Sequence, residues 1–273
     1  MGKVKIKDIA FNIQMTGQGK ALIWGHGLTS SMAGEDALDI FRWNAFPKNV
    51  QLVRYDARGH GETESTYGPE DYRWQSLAED MAAIADTLHL EAYLAGGQSM
   101  GCATSIHTAI KVPHRIKGLI LVNPPNAWEM RKSQTDAYKK MAKAGHLLGG
   151  KLLAKLAGKS LRRDLPDWLK GAPEEIVAST VEGLKRMDRK TLSTVFKGAA
   201  LTDLPPREVV QSIDVPALIL AWTGDPTHPV EIAVELNRLL PQSKLVVAKE
   251  FSDVERWPDM IQDFVSKIDL DLS

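Results

Sequence analysis

The chain has 273 residues, of which 44% are hydrophobic and 25% are charged. This composition is ordinary for a globular protein with a sizeable core, and it excludes disordered, collagen-like and disulfide-stapled chains. The 34 Lys and Arg residues balance the 34 Asp and Glu residues, so the chain lacks the positive charge expected of a nucleic-acid-binding protein. Length and charge leave the oligomeric state open.

Cysteine usage and the length of the apolar runs bear on the compartment. Cys102 is the only cysteine, which excludes an intrachain disulfide and favours a reducing compartment. No apolar stretch follows the basic N-terminal residues, so we expect no secretory signal. Apolar runs such as residues 215–222 are far shorter than the roughly 18 residues of a membrane-spanning helix. We therefore expect a cytoplasmic protein without a transmembrane segment.

Short apolar runs rich in β-formers alternate with amphipathic stretches. This alternation predicts an α/β fold with a mostly parallel sheet and helices on both faces. The turn at residues 16–19 predicts a hairpin between the second and third strands, so that the sheet opens with antiparallel strands. The predicted strands are 3–7, 11–15, 21–24, 51–55, 92–95, 118–122, 215–222 and 244–247, and the predicted helices include 36–42, 71–88, 230–240 and 258–268.

The pattern changes after Pro124 and Pro125. From residue 126 to residue 204 there are helical periods and several glycine breaks, with no convincing strand. We therefore predict a core formed by residues 1–125 and 205–273, interrupted by a helical insertion at 126–204.

Residues 97–101 read Gly-Gln-Ser-Met-Gly and lie between a predicted strand and a helical run. A serine on such a tight turn needs small neighbours, because the chain folds back closely on both sides. The turn also presents the Ser99 hydroxyl at a helix N-terminus, where backbone N–H groups stabilise negative charge. Ser99 is therefore our candidate nucleophile, the alternative being an incidental serine in a glycine-rich turn.

Two further segments make a resemblance specific. A glycine-rich loop with His26 and Gly27 follows an early strand, and residues 55–61 form a turn after the next one. Together with Ser99 they resemble the α/β-hydrolase superfamily along nearly the whole chain. The resemblance implies that the insertion at 126–204 is a helical lid. It also implies an oxyanion hole formed by the backbone N–H groups of Leu28 and Met100.

The resemblance also implies a catalytic carboxylate after a late strand, and Asp225 stands at the matching position. Its place after Ser99 fits the chain order of nucleophile, acid and base. A carboxylate between Gly224 and Pro226 also suits a simple turn, which is the alternative interpretation.

The chain departs from the family at the base, because residues 249–256 contain no histidine. His228, three residues after Asp225, is the leading replacement, since an imidazole has the basicity to take a serine proton. His146 in the insertion, or Glu250 or Asp253 with a raised pKa, are the other candidates. The absence of any general base also stays open.

The remaining histidines favour structural roles. A histidine in a glycine-rich turn more often fixes a loop by hydrogen bonds than it transfers protons, so we expect His26 and His60 to hold their loops. His107, two turns into the helix after Ser99, is expected to be packed.

The sequence contains no His-Glu-x-x-His, no Cys-x-x-Cys and no phosphate-binding loop motif, so no metal or cofactor is predicted. Most of the apolar residues of the insertion must form its own core, but they are numerous enough to line an apolar pocket as well, so we expect a small-molecule substrate that is partly apolar. The insertion is also rich in lysine and arginine, which a solvated helix face explains more often than an anion site does. An acidic substrate group or attraction to a membrane surface is the alternative.

These observations predict a serine hydrolase that acts on a carboxylic ester or related acyl compound through an acyl-enzyme on Ser99. The absent late histidine supports one alternative, a ligand-binding protein that kept the hydrolase fold and lost catalysis. A non-hydrolytic enzyme of lyase type on the same fold is the other.

Overall fold

The computed structural model describes residues 2–163 and 165–269, and within them eight strands form one sheet. The strands follow the order β1-β2-β4-β3-β5-β6-β7-β8 across the sheet. All eight predicted strands are present, with ends that differ by a few residues. Their bounds are β1 Lys3–Ile6, β2 Ile9–Thr16, β3 Lys20–Gly25, β4 Val50–Tyr55, β5 Tyr93–Gln98, β6 Ile116–Val122, β7 Ala217–Trp222 and β8 Ser243–Ala248.

The sheet opens with antiparallel strands, as predicted, but the predicted hairpin between β2 and β3 is wrong. β2 pairs with β1 and β4, both antiparallel, and β3 pairs in parallel with β4 and β5. The turn at 16–19 instead rests on the chain that enters β4, where Gln18 N–H donates to Lys48 O over 2.9 Å. The turn motif predicts that the chain changes direction, but it does not determine which strand pairs with β2. In the structure β4 lies beside β2, and β3 lies on the other side of β4.

Helices cover both faces of the sheet. The predicted helix at 36–42 lies earlier, because Ser31 Oγ accepts the Gly34 N–H at its start and Asp39 has a φ of 48° at its end. The helices are α1 Met32–Leu38, α2 Trp74–Thr87, α3 Met100–Lys111, α4 Arg131–Leu148, α5 Gly150–Arg163, α6 Glu174–Ser179, α7 Glu182–Arg186, α8 Arg189–Ala199, α9 Arg207–Gln211, α10 Val230–Leu239, α11 Phe251–Val254 and α12 Trp257–Lys267.

The alternation of side chains along β6 shows how the two layers are built. Leu119 and Leu121 point into the core shared with α2, α3 and α10, whereas Ile120 and Val122 point into the core shared with α12. All four side chains are fully buried, which explains why this parallel strand is apolar without alternation.

Helices α4 to α8 lie between β6 and β7 and have a small core of their own, which includes Tyr138, Leu153 and Leu192. Helix α7 abuts the loop after β3, because a Cβ at Gly183 would overlap the Thr29 carbonyl oxygen. The insertion therefore packs on the carboxyl edge of the sheet. Among residues 2–163 and 165–269, no helix is long and apolar enough to cross a membrane.

Candidate active site

Ser99 stands alone between β5, which ends at Gln98, and α3, which begins at Met100. Its backbone has φ 53° and ψ −106°, a conformation that costs a non-glycine residue on the order of 1–3 kcal/mol. The sharp turn places the side chain at the carboxyl edge of the sheet. Ser99 is buried, so a reacting group meets it away from bulk water.

Close approach of the chain explains the small residues of the motif. A Cβ at Gly97 or at Gly101 would overlap the carbonyl oxygen of Gly25 in the neighbouring strand β3. Neither position accepts a side chain without moving the backbone. The glycines therefore permit the turn that presents Ser99.

Ser99, His228 and Asp225 form one hydrogen-bonded chain. His228 Nε2 lies 2.8 Å from Ser99 Oγ, and His228 Nδ1 lies 2.7 Å from Asp225 Oδ2. Because a carboxylate only accepts, Nδ1 carries the proton and donates to Asp225, which leaves the lone pair of Nε2 for the Ser99 hydroxyl. The structure thus brings the three residues together as acid, imidazole and hydroxyl.

A tight turn makes this arrangement possible with acid and base only three residues apart. His228 N–H donates to Asp225 O over 3.2 Å, and Thr227 N–H donates to Asp225 Oδ1 over 2.8 Å. The turn folds the imidazole back over the carboxylate of its own loop. One loop, between β7 and α10, therefore carries both groups.

The environment of Asp225 favours its ionised form. Burial raises the pKa of this carboxyl, but the charge and hydrogen bond of His228, with donors from Thr227 and Trp222, outweigh burial and hold the pKa well below its ordinary value. The carboxylate is therefore charged at neutral pH. A charged acceptor here stabilises the imidazolium that forms when His228 takes a proton.

Two residues that sequence reasoning did not single out hold this loop. The Trp222 indole N–H donates to Asp225 Oδ2 over 3.0 Å, and the ring stacks between Trp168 and Trp257. Asn126 Nδ2 donates to the carbonyl oxygens of Pro226 and Thr227, at 2.9 and 3.2 Å. A tryptophan at the end of a strand and an asparagine after two prolines carry no spacing signal for these contacts.

The other candidate bases lie elsewhere. His146 is exposed on α4, beside a groove lined by Lys143 and Leu147. Glu250 accepts the Ser252 hydroxyl, and Asp253 accepts the Lys249 N–H. The structure brings none of these three side chains into hydrogen-bond contact with Ser99.

The two predicted oxyanion donors flank the serine. A Cβ at Gly27 would lie 3.7 Å from Ser99 Cβ, so the loop that carries Leu28 adjoins the nucleophile. Met100 is the first residue of α3, where helix N–H groups have no intrahelical acceptor. Within the described part of the chain, neither the Leu28 N–H nor the Met100 N–H donates a hydrogen bond.

His26, His60 and His107 have the structural contacts that the sequence predicts. His26 Nε2 accepts the Ala57 N–H, and Nδ1 lies 2.8 Å from Gly27 O, so the ring joins two loops. His60 Nδ1 lies 2.9 Å from Arg58 O, and His107 Nε2 lies 3.0 Å from Asp203 O. Among the residues that the structure describes, no group of three His, Cys, Asp or Glu side chains could hold a metal ion.

The burial of His60 predicts a pH dependence of stability. Burial and the charge of His26 lower its pKa from 6.5 to about 3, against smaller opposing effects of Arg58 and Asp56. Between these values the unfolded chain holds a proton that the folded protein does not, so the free energy of unfolding falls as the pH falls. The expected contribution is about 1.4 kcal/mol per pH unit.

Urea unfolding between pH 4 and pH 6.5 measures this contribution. His60→Asn keeps a donor for the Arg58 carbonyl and removes the titration, so its stability should depend less steeply on pH than that of the wild type. Equal slopes for the two proteins would show that His60 does not contribute.

Known proteins match the chain over most of its length. A family model described as alpha/beta hydrolase fold matches residues 20–252. The AB hydrolase superfamily protein YisY of Bacillus subtilis is 27% identical over 255 residues, covering 88% of this chain and 87% of that protein. 3-Oxoadipate enol-lactonase 2 of Acinetobacter baylyi is also 27% identical over 255 residues, covering 92% of this chain and 90% of the lactonase.

Solved structures show the same architecture. The enol-lactonase from Burkholderia xenovorans LB400 superimposes with a TM-score of 0.80 at 21% identity, covering 97% of this chain and 100% of that one. Together with the family match, the sheet order and the turn at Ser99, these similarities give one conclusion. The chain belongs to the alpha/beta hydrolase fold family, and it is an enzyme with hydrolase activity.

Proposed function

We propose that this enzyme hydrolyses carboxylic esters or related acyl compounds, lactones included, through an acyl-enzyme on Ser99. The observation that carries the proposal is the hydrogen-bonded chain from Asp225 through His228 to Ser99, with distances of 2.7 and 2.8 Å. Nucleophile, base and orienting carboxylate in contact are the arrangement that activates a serine hydroxyl.

The chemistry follows from the donors and acceptors at hand. Ser99 Oγ attacks the acyl carbon while His228 Nε2 takes the hydroxyl proton, and the carbonyl oxygen becomes an oxyanion. The N–H groups of Leu28 and Met100 bind that oxyanion, and Asp225 stabilises the imidazolium. His228 then gives its proton to the leaving oxygen, which releases the alcohol and leaves the acyl group on Ser99.

The same groups complete the cycle. A water molecule loses a proton to His228 as it attacks the acyl carbon, the oxyanion forms again, and Ser99 leaves with the proton from His228. In a lactone the leaving oxygen stays joined to the acyl chain, so ring opening needs no further group. No step requires a metal or cofactor.

The insertion supports a partly apolar small-molecule substrate. Leu28 packs both against the main core and against the core of helices α4 to α8, so apolar side chains lie beside the loop that carries the proposed oxyanion donor. We propose that residues 126–204 act as a lid that covers Ser99 and shapes the acyl pocket. Relatives named as enol-lactonases favour including lactones in the substrate class.

A panel of p-nitrophenyl esters and lactones tests this proposal. We expect turnover of at least one compound class, and a trapped acyl group on the peptide that contains Ser99, found by mass spectrometry. The competing idea of a binding protein without catalysis rested on the absent late histidine, and the position of His228 counts against it. No turnover across the panel, with thermal stabilisation by a small ligand, would favour the binding protein.

Trp222 should act on turnover through Asp225. Trp222→Phe keeps an aromatic ring in the stack and removes the N–H that binds the carboxylate. Hydrogen bonds to charged groups contribute about 1.5–3 kcal/mol, so we expect kcat to fall about tenfold or more with KM little changed.

Trp257→Phe is the matched control for this measurement. Trp257 stacks on Trp222 and is equally buried, yet the structure shows no bond from it to Asp225. Both variants lose similar packing, but only Trp222→Phe should lower kcat. Equal losses in the two variants would assign the effect to packing.

A further inference from the structure

The exposed apolar side chains of this protein are concentrated at one corner. Eight large hydrophobic residues are exposed in the described part of the chain, and four of them lie within ten residues where α4 meets α5. They are Leu147, Leu148, Leu152 and Leu156, with exposed fractions of 69%, 38%, 43% and 49%. Scattered apolar residues are normal on a surface, whereas a contiguous group marks a contact site.

Positive charge is concentrated in the same segment. Residues 137–163 contain eight Lys and Arg residues and no Asp or Glu, in a chain whose charges balance overall. The other residues of the chain therefore carry a matching excess of negative charge. This polarity orients the molecule in an electric field, with residues 137–163 facing negative charge.

Most of the lysines of this segment have no ion-pair partner among the described residues. Lys139 pairs with Asp136 and Arg162 pairs with Glu174. For the lysines at 143, 151, 155 and 159, no carboxylate among the described residues lies within ion-pair distance. All four are exposed. Their charge is thus not neutralised by an ion pair with any described residue.

The leucines and lysines of α5 share one face of that helix. On α5, Leu152 and Leu156 form a row spaced by four residues, and Lys151, Lys155 and Lys159 form another, so the two rows run side by side along the helix. Near the end of α4, Leu147 and Lys143 line a groove of about 330 Å³ together with Lys197 of α8. We define residues 143–159 as the α4–α5 corner.

We propose that the α4–α5 corner docks this protein on an anionic lipid bilayer. Lysines bind lipid phosphate and carboxylate groups, while the leucines beside them enter the boundary between headgroups and acyl chains. A nucleic acid would also supply negative charge, but it has no apolar region in which the four leucine side chains could be buried. The protein lies on the bilayer and does not span it.

Vesicle sedimentation tests the proposal with the full chain. Vesicles of phosphatidylcholine with 30% phosphatidylglycerol should sediment the wild-type protein, and vesicles of phosphatidylcholine alone should bind at least tenfold more weakly. Raising the salt concentration should release the protein, because the lysine contribution is screened. Equal binding to both vesicles, or no binding to either, would overturn the proposal.

Paired variants separate the two contributions. Lys155→Glu with Lys159→Glu should weaken binding to the anionic vesicles at least tenfold, and Leu152→Ser with Leu156→Ser should weaken it severalfold. Lys5→Glu and Val234→Ser change exposed residues elsewhere and should bind as the wild type does. Thermal unfolding confirms that each variant is folded. Wild-type binding by both corner variants, or a dimer that both corner variants abolish in the absence of lipid, would contradict the proposal.

Discussion

Ser99→Ala is expected to lower kcat for a p-nitrophenyl ester by a factor of about 10⁴ or more, because no other side chain replaces the attacking oxygen. The fold should persist, since the one side-chain hydrogen bond of Ser99 among the described residues is with His228. Steady-state kinetics with the variant, and its thermal unfolding temperature, measure the two effects.

Ser105→Ala is the control for this loss. Ser105 is buried on α3, the helix that follows Ser99, and its hydroxyl donates to Gly101 O. Its replacement should leave kcat near that of the wild type. Substantial turnover by Ser99→Ala would show that the reaction does not pass through an acyl group on this serine.

Asp225→Asn is expected to lower kcat by a factor of about 10³–10⁴ with little effect on the fold. The amide can present an N–H toward His228 Nδ1, which favours the tautomer with its proton on Nε2, facing Ser99. An uncharged partner also loses the stabilisation of the imidazolium. The kcat of the variant across neutral pH measures the combined loss.

Asp167→Asn provides the comparison. The Asp167 carboxylate accepts the Thr223 hydroxyl in the same loop, but the structure shows no contact between it and His228. We expect its replacement to change kcat less than threefold. A loss of kcat as large as that of Asp225→Asn would assign the effect to a disturbance of the loop and not to the charge of Asp225.

The fold follows closely from the sequence because burial on both faces makes each parallel strand an apolar run. The pairing of the strands is harder to predict from the sequence. The turn at 16–19 predicts a reversal of the chain, but which strand lies beside β2 depends on the position of β4, which is distant in the sequence. Helix α1 begins four residues before the predicted start, since its capping contact at Ser31 was outside the amphipathic pattern.

The residues of the candidate site also differ in how far the sequence predicts them. The position of Ser99 can be predicted because the tight turn requires glycine on both sides of it, and the sequence has Gly97 and Gly101 there. The geometry of His228 cannot, because spacing alone does not say whether residues 225–228 fold into a turn that returns the imidazole to the carboxylate. The contacts of Trp222 and Asn126 with that loop join segments far apart in the chain, which local patterns do not reveal.

The central claim is that His228, from the same loop as Asp225, activates Ser99. The most direct test is the second-order rate constant for fluorophosphonate labelling of Ser99, followed by mass spectrometry, in the wild type, His228→Ala and His146→Ala. Labelling requires an activated serine and no later step of turnover. We predict that His228→Ala is labelled at least 100-fold more slowly and His146→Ala at the wild-type rate; a wild-type rate for His228→Ala would contradict the account.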